Sequence, residues 1–575
     1  MPSKFSQTEL LGAHVINDVQ GFVQEFYVCT ILANVPQSHI NSLLSIMTKF
    51  GFPVYKTARA AQKTPREVEI KNRAGGKYIY FGIENSIIPL LNSDDHVPQN
   101  LSLSFNIDGA QMPFTPNETM WPILCYIKRS AFRPLLVCLF TARKKPDPIE
   151  EFMEDFLREL SHLLSNGIVI DGNIINITLH SFVCDAPARA SIKGIKYHSG
   201  FYSCERCTIH GEKLDTGHMV FIREGTELAR TDHEFASFKY SGVDDQGKRN
   251  HQQYLREISK LVPCVSGFVL DSMHMIFLGV TKRVIQFWLS GPRCCLLSAQ
   301  QQKIISSRLL SFRGKLPDEF SRQPSPLDRL DAWKATDFRI FLLYIGPIIL
   351  RDVLNEDLYR HFISLHLAIY ILSDEDYASR VPFLPFARDL LQFFVSESEN
   401  LYSKAFVSFN VHCLLHLTDD VEHYEESLTS LSAFKFESFI GYIRQKIRGP
   451  KSPIVQVAKR IEELNNIKEF PLLHKATPTA SIELPNSCFF VSDSQLLFLT
   501  SLENNEFTGK IVNSTMLTDM YRCNIDSTQF KIGIVERDAI RKAKFQTYNN
   551  ISHFVKAVCL SYDDKLYVIP MLHER

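Results

Sequence analysis

Between residues 101 and 185 the sequence permits few architectures. "LSLSFNIDG" alternates apolar and polar residues and ends in a turn, and "WPILCYIKR" and "PLLVCLFTA" follow as short strand-like runs within about forty residues. Three such runs predict an antiparallel meander. "DPIEEFMEDFLRELSHLL" (147–164) then opens with an Asp cap and a Pro, carries early acids and spaces Ile149, Phe152, Phe156, Leu160 and Leu163 along one face, which predicts a helix. "NIINITLHSFVCD" returns to a β-branched strand ending at Asp185, so the order is β-β-β-α-β.

Two acids mark this frame, Asp108 after the first strand and Asp185 after the fourth. A third, Glu437, opens a helix expected over 434–448. Taken singly, an acid after a strand is a turn or cap residue, and an acid in a first helical turn is favoured by the helix dipole. Their places in the frame set these three apart. The order resembles the RNase H-like nucleotidyltransferase fold, in which neighbouring parallel strands bring two carboxylates together and a later helix supplies the third. That likeness implies that Asp108, Asp185 and Glu437 hold a pair of Mg²⁺ (or Mn²⁺) ions, hard cations that carboxylate oxygens suit, for cleaving and joining phosphodiesters.

A chain of 575 residues suits two to four domains, and its 45% hydrophobic content is ample for their cores. Residues 1–95 read as a mainly helical region and 96–296 as the α/β core with a metal-binding segment. Residues 297–430 read as an all-helical insertion, 431–470 as the final core helix with Glu437, and 480–575 as a small β-domain behind a Pro/Thr linker near 474–486. No run of about 18 apolar residues occurs, and "MPSKFSQTELLGAH" lacks the pattern of a secretory signal, so neither membrane nor secretion is expected. Thirteen cysteines, an odd number in a large chain, read as reduced thiols of an intracellular protein. With 63 basic and 63 acidic residues, any DNA surface must be a local patch.

"CERC" gives Cys204 and Cys207 the spacing of half a tetrahedral zinc site, and His412 and His416, at i and i+4 of an expected helix, could supply the other half. Four protein ligands would make such a zinc structural. The bland alternatives are free thiols and a core histidine pair, and His198, His210 and His218 offer a local knuckle instead. "LDSMH" places Asp271 and His274 where a short strand becomes a helix. His274 is read there as an imidazole facing the metal pocket and a scissile phosphate, against a cap and a buried histidine. For phosphate contacts the candidates are Arg189, Lys193 and Lys196 after Asp185, Lys282 and Arg283 after "LDSMH", and Arg444, Lys446 and Arg448 after Glu437. Each set is set against a solvated helix face. Trp333 could stack on a displaced base, against a place in the core.

Together, "NIDG…WPIL", "CDAPAR", "YHSGFYSCERC", "LDSMHMIFLGV", "WKATDFRIFLLYIGP", "NVHCLLHL" and "FKFESFIGYIRQKIR" resemble the transposase domain of CACTA-like (EnSpm-type) DNA transposons and host proteins derived from them, over roughly 75–465. The resemblance implies a nuclear DDE enzyme with a helical insertion before the Glu, acting as a homodimer on two DNA ends. It also favours the interrupted Cys₂His₂ set over the local knuckle, since the antigen-receptor recombinase shares a Cys pair after its second Asp and a His pair before its Glu. Here Cys204 follows Asp185 by 19 residues and His412 precedes Glu437 by 25. No site-specific DNA-binding domain is recognisable in 1–95. The competing readings are a domesticated DNA-binding or scaffold protein without catalysis, and a zinc hydrolase using Cys204, Cys207 and a His.

Overall fold

The computed structural model describes residues 18–91, 98–130, 132–223, 225–240, 258–466, 479–503 and 506–572. The stretch read for a secretory signal, the end of the polar segment at 241–250 and residues 474–478 of the expected linker lie outside the described residues. The described chain is mixed α/β, with a large helical region and a C-terminal β-sheet. It divides into two compact units, one drawn from 1–103, 108–179 and 436–472, the other from 104–107, 180–435 and 473–575. No described helix is long and apolar enough to cross a membrane.

The first unit contains β1 (Lys71–Arg73), β2 (Gly76–Tyr80), the start of β3 (Asn100–Ile107), β4 (Ala110–Gln111), β5 (Thr119–Ile127), β6 (Leu135–Ala142), β7 (Ile168–Ile170) and the start of β8 (Asn173–Cys184). The strands lie in the order β1-β2-β6-β5-β3, with antiparallel pairing between β1 and β2, β2 and β6, and β6 and β5. The helix Ile149–Asn166 buries Phe152, Phe156, Leu160 and Leu163, the face read from its spacing, and Phe152 meets Phe140 of β6 edge-on at 5.8 Å. The expected Asp147 cap does not form. Pro148 is the extended boundary residue, which leaves Asp147 one position too early to reach the first turn. Helices Val19–Leu32 and Gln37–Lys49 close a small core of Val23, Tyr27, Ile40 and Leu44.

In the second unit β3 and β8 run side by side. Ser104 Oγ lies 3.1 Å from Ser181 Oγ, Asn106 Nδ2 donates to the Val183 carbonyl at 2.7 Å, and the Ile107 N–H reaches Cys184 Sγ at 3.3 Å. Every partner is 77 residues away, a constant offset that only parallel strands give. After a small hairpin of β9 (Glu212–Lys213) and β10 (Met219–Val220), β11 (Phe268–Leu270) pairs in parallel with β8, Leu270 beside Cys184. Asp185 and Asp271 are therefore the first residues past the C-terminal ends of two parallel strands of this unit, the end at which open α/β sheets present their ligand-binding groups.

From Met273 to Tyr424 the described elements are all helical. The strand after "VSG" leads into a π-helical stretch, Met273–Thr281, before the α-helix Lys282–Ser290, and such widened turns concentrate at functional sites. Helix Glu356–Ser373 is buried along almost its whole length. The C-terminal sheet comprises β12 (Cys488–Ser492), β13 (Gln495–Glu503), β14 (Glu506–Asn513), β15 (Gly533–Val535), β16 (Lys544–Tyr548), β17 (Val555–Tyr562) and β18 (Lys565–Pro570). It is antiparallel throughout, in the order β15-β18-β17-β12-β13-β14-β16. The β17–β18 turn puts Asp563 and Asp564 at φ of 50° and 57°, the paired positive values of a two-residue hairpin loop. This sheet belongs to the same unit as the helical region. Lys556 is buried and donates to both Glu319 oxygens at 2.8 and 2.6 Å, and His366 meets the Tyr521 hydroxyl at 2.7 Å.

Candidate metal centres

Asp108 follows β3 directly, and its Oδ1 accepts the Gly109 N–H at 2.6 Å. A Cβ at Gly109 would lie 2.8 Å from the Trp121 indole, so only glycine lets the chain turn over that ring and leave Asp108 at the strand end. Glu437 stands in the first turn of the helix Phe434–Gln445. Within the first unit, the Asp108 and Glu437 carboxylates offer oxygens within 4.8 Å of one another, although 329 residues separate them. Both side chains are half-buried. Two carboxylates this close repel unless a proton or a cation lies between them, which is the condition for holding a hard metal ion. Asp185, in the second unit, uses Oδ1 to cap its own helix through the Ala188 N–H at 2.7 Å.

Asp271 is only 1% exposed and has four hydrogen-bond donors. Its Oδ2 receives His274 Nδ1 at 2.6 Å and the His274 N–H at 3.1 Å, while Oδ1 receives the N–H groups of Met273 at 3.1 Å and Ala433 at 2.8 Å. Burial opposes its ionisation, but the His274 hydrogen bond and charge, with the Ala433 N–H, outweigh burial and hold the carboxyl below the usual aspartate range. The imidazole is therefore fixed through Nδ1, an orientation that turns its Nε2 edge away from Asp271.

The structure brings Cys204, Cys207, His412 and His416 together, with all four ligand atoms within 4.8 Å of one another. The Sγ atoms are 3.6 Å apart, Cys204 Sγ is 3.6 Å from His416 Nε2, Cys207 Sγ is 3.3 Å from His412 Nε2, and the two Nε2 atoms are 3.4 Å apart. A tetrahedron with metal–sulfur bonds of about 2.3 Å and metal–nitrogen bonds of about 2.05 Å has edges of about 3.8, 3.6 and 3.3 Å for the S–S, S–N and N–N pairs. The observed separations match those edges to a few tenths of an ångström. Burial opposes ionisation of Cys204, yet hydrogen bonds from Cys207 and Cys413 and the charges of His416 and His412 hold the thiol well below its ordinary range. His198, His210 and His218 are not in the cluster; His210 instead stacks on Phe201 at 5.3 Å.

The two middle letters of "CERC", which the sequence reading passed over, anchor this site. Glu205 pairs with Arg189 at 3.0 Å and with Lys193, both on the helix after Asp185. Arg206 reaches both Asp420 oxygens at 2.7 and 3.0 Å and the Phe268 carbonyl at 2.6 Å, while Asp420 accepts the Leu270 N–H at 2.7 Å. One tetrapeptide thus ties β11, the helix after β8 and the helix after His416 to the four ligands. An oppositely charged Glu-Arg pair between two metal-type cysteines is the signal that could have found it.

Several expected DNA contacts need correction. Arg189 and Lys193 are buried in the Glu205 ion pairs, and Arg189 also donates to the Cys184 carbonyl at 2.9 Å, so neither is presented to a ligand. Lys446 is buried with its ammonium 4.1 Å from the Tyr442 ring centre, and Arg283 donates to the Phe406 carbonyl at 2.9 Å. Arg448 is exposed but holds the Asn34 and Val35 carbonyls at 2.9 and 3.0 Å. Apart from Lys446, which meets a ring, these side chains bind the protein's own backbone carbonyls or acids, the acceptors that an Arg or Lys donor needs. Arg444 is exposed, and Lys196 and Lys282 are partly exposed. Trp333 is a core residue packed on Phe338 and Phe341 at 5.3 and 5.8 Å.

Comparison of the sequence with protein-family models gives no match, and comparison with curated proteins gives none.

Proposed function

We propose that the chain is a DNA transposase of the DDE type, or a host protein derived from one, in which Asp108, Asp185 and Glu437 hold Mg²⁺ or Mn²⁺ on an RNase H-like core. One observation carries this reading: carboxylates 329 residues apart, Asp108 and Glu437, come within 4.8 Å. The parallel β3-β8-β11 order, with an acid after each strand, supports the fold. Held by such acids, a pair of hard cations supplies activation of the attacking oxygen and stabilisation of the leaving oxygen. The protein's own part would be to place the acids and to orient His274, roles that the Gly109 turn and the Asp271–His274 bond support. The Cys₂His₂ group takes zinc in a structural role, since four protein ligands leave no position for water. Action on two DNA ends calls for a homodimer in the nucleus.

A nicking and strand-transfer assay with Mg²⁺ or Mn²⁺, on DNA carrying the terminal repeats of a matching element, tests the reading. The parent should act and Asp108→Ala and Glu437→Gln should lose at least a hundredfold; equal activity in all three rejects it. A non-catalytic scaffold is favoured by one observation, the burial of Arg189, Lys193 and Lys446. Titration with Mn²⁺ separates the two, because a scaffold has no need of cation binding at Asp108 and Glu437.

A further inference from the structure

Arg339 differs from four other shielded arginines of the second unit. Arg189 and Arg206 each pair with a carboxylate, and Arg230 and Arg380 donate to backbone carbonyls, whereas no described carboxylate pairs with Arg339, and the nearby Asp337 is taken by Arg322 at 2.6 Å. Its Nε is shielded from solvent without a hydrogen-bond partner, while the side chain as a whole stays partly exposed. Its guanidinium carbon lies 4.3 Å from the ring centre of Phe434, the first residue of the helix that carries Glu437 one turn later. Its own helix, Ala335–Ile340, packs against the Met273–Thr281 turn that contains His274. Burial pushes the guanidinium down to about 10, with only the Tyr344 phenol opposing.

A cation whose Nε is shielded from water and has no acceptor is costly to keep unless a ligand completes it. Stacking on a ring fixes the plane of the guanidinium and leaves its N–H edges for an acceptor in that plane, the geometry that binds two oxygens of one phosphate. We propose that Arg339, stacked on Phe434, receives a phosphodiester of the bound DNA strand. This rests on the DNA-transferase reading above, and the experiment keeps the two apart.

Binding of a fluorescein-labelled duplex of random sequence is measured by anisotropy in Ca²⁺ across a salt series, for the full-length parent, Arg339→Ala and Arg339→Lys. The alanine variant should bind about tenfold more weakly, with a slope of log affinity against log salt shallower by about 0.9, the value of one lost phosphate contact. Lysine should restore the slope and only part of the affinity. In parallel, phenylglyoxal should modify Arg339 in the free parent, and the duplex should protect it where inorganic phosphate at equal phosphate concentration does not. That readout needs no variant to fold. A parent that binds DNA while the alanine variant keeps its affinity and slope, or while Arg339 stays reactive, overturns the Arg339 assignment alone. A parent that binds no DNA overturns the transferase reading and this assignment with it. Protection by inorganic phosphate as complete as by DNA overturns the strand contact in favour of a free-anion site.

Discussion

Asp271 Oδ1 accepts the Ala433 N–H at 2.8 Å across 162 residues of sequence. The bond joins the end of β11 to the residue preceding the helix of Glu437, and the other oxygen of the same carboxylate holds the His274 ring. One buried side chain thereby sets both the direction of an imidazole and the start of a helix.

Removing that carboxylate should be costly. Asp271→Ala leaves three backbone N–H groups, two of them in buried bonds, and a ring nitrogen without an acceptor, and about 2–4 kcal/mol of stability should be lost, read as a shift in the urea midpoint. Asp271→Asn keeps one acceptor and should lose less. Because the folded carboxyl sits below the ordinary aspartate range, its contribution is present above about pH 4 and is lost as pH falls through the folded value. The gap between parent and Asp271→Asn should therefore narrow on acidification. A gap that widens in acid would contradict the assigned charge state.

The Cys₂His₂ cluster gives a metal-removal prediction. Purified protein should carry one equivalent of zinc by elemental analysis, and chelation should lower its melting temperature, because ligands drawn from segments some two hundred residues apart are held together by the ion. Cys204→Ser and His412→Ala should each lose the zinc and melt lower. His210→Ala, whose ring meets Phe201 and Tyr202, should retain it. Loss of zinc in the His210 variant with retention in the His412 variant would restore the local knuckle.

How much of this was legible in the sequence depends on whether a residue's role is local. The strand alternation of "LSLSFNI", the helical face of Phe152, Phe156, Leu160 and Leu163, and the C-terminal hairpins follow from periods of two and 3.6, and the structure has them. The pairing of Cys204 and Cys207 with His412 and His416 was legible through ligand spacing together with the family likeness. The burial of the DNA candidates Arg189 and Lys193 has no sequence signal, because sequence counts charge and not burial, and their partner Glu205 sits inside a cysteine motif whose spacing speaks of metal. Arg339 was invisible for the converse reason, since a missing partner has no sequence signature.

Glu205 makes its burial measurable. Burial alone would raise its pKa, but Arg189 and Lys193 outweigh burial and hold it at about 2. A carboxyl depressed in this way stabilises the fold above the ordinary glutamate value of about 4.3, and the contribution disappears as pH falls from there toward the folded value. Glu205→Gln strands two buried cations and should cost about 3–5 kcal/mol near neutral pH. The difference from the parent, measured by urea denaturation, should shrink between about pH 5 and pH 3. A difference independent of pH would mean that the triad is not ionised in the folded protein.

Lys556 and Glu319 decide whether the C-terminal sheet is an appendage. The ammonium, 1% exposed, also donates to the Thr479 carbonyl at 2.6 Å and Asn486 Oδ1 at 2.7 Å, so its N–H donors are all satisfied within the fold. The pair joins β17 to the loop before Phe320 in the helical region, and the His366–Tyr521 bond adds a second buried tie. Truncation after residue 466 would expose Glu319, His366 and the apolar faces that surround them. Such a fragment should be insoluble or aggregate on size exclusion, whereas Lys556→Met, which leaves the Glu319 charge with the Thr479 N–H but without its cation, should fold but melt several degrees lower. Pairing Lys556→Met with Glu319→Leu should recover most of that loss, because the cost lies in one stranded charge rather than in the absence of the pair. A truncated fragment that is monomeric and melts like the parent would show that the sheet contributes nothing to the helical region's stability.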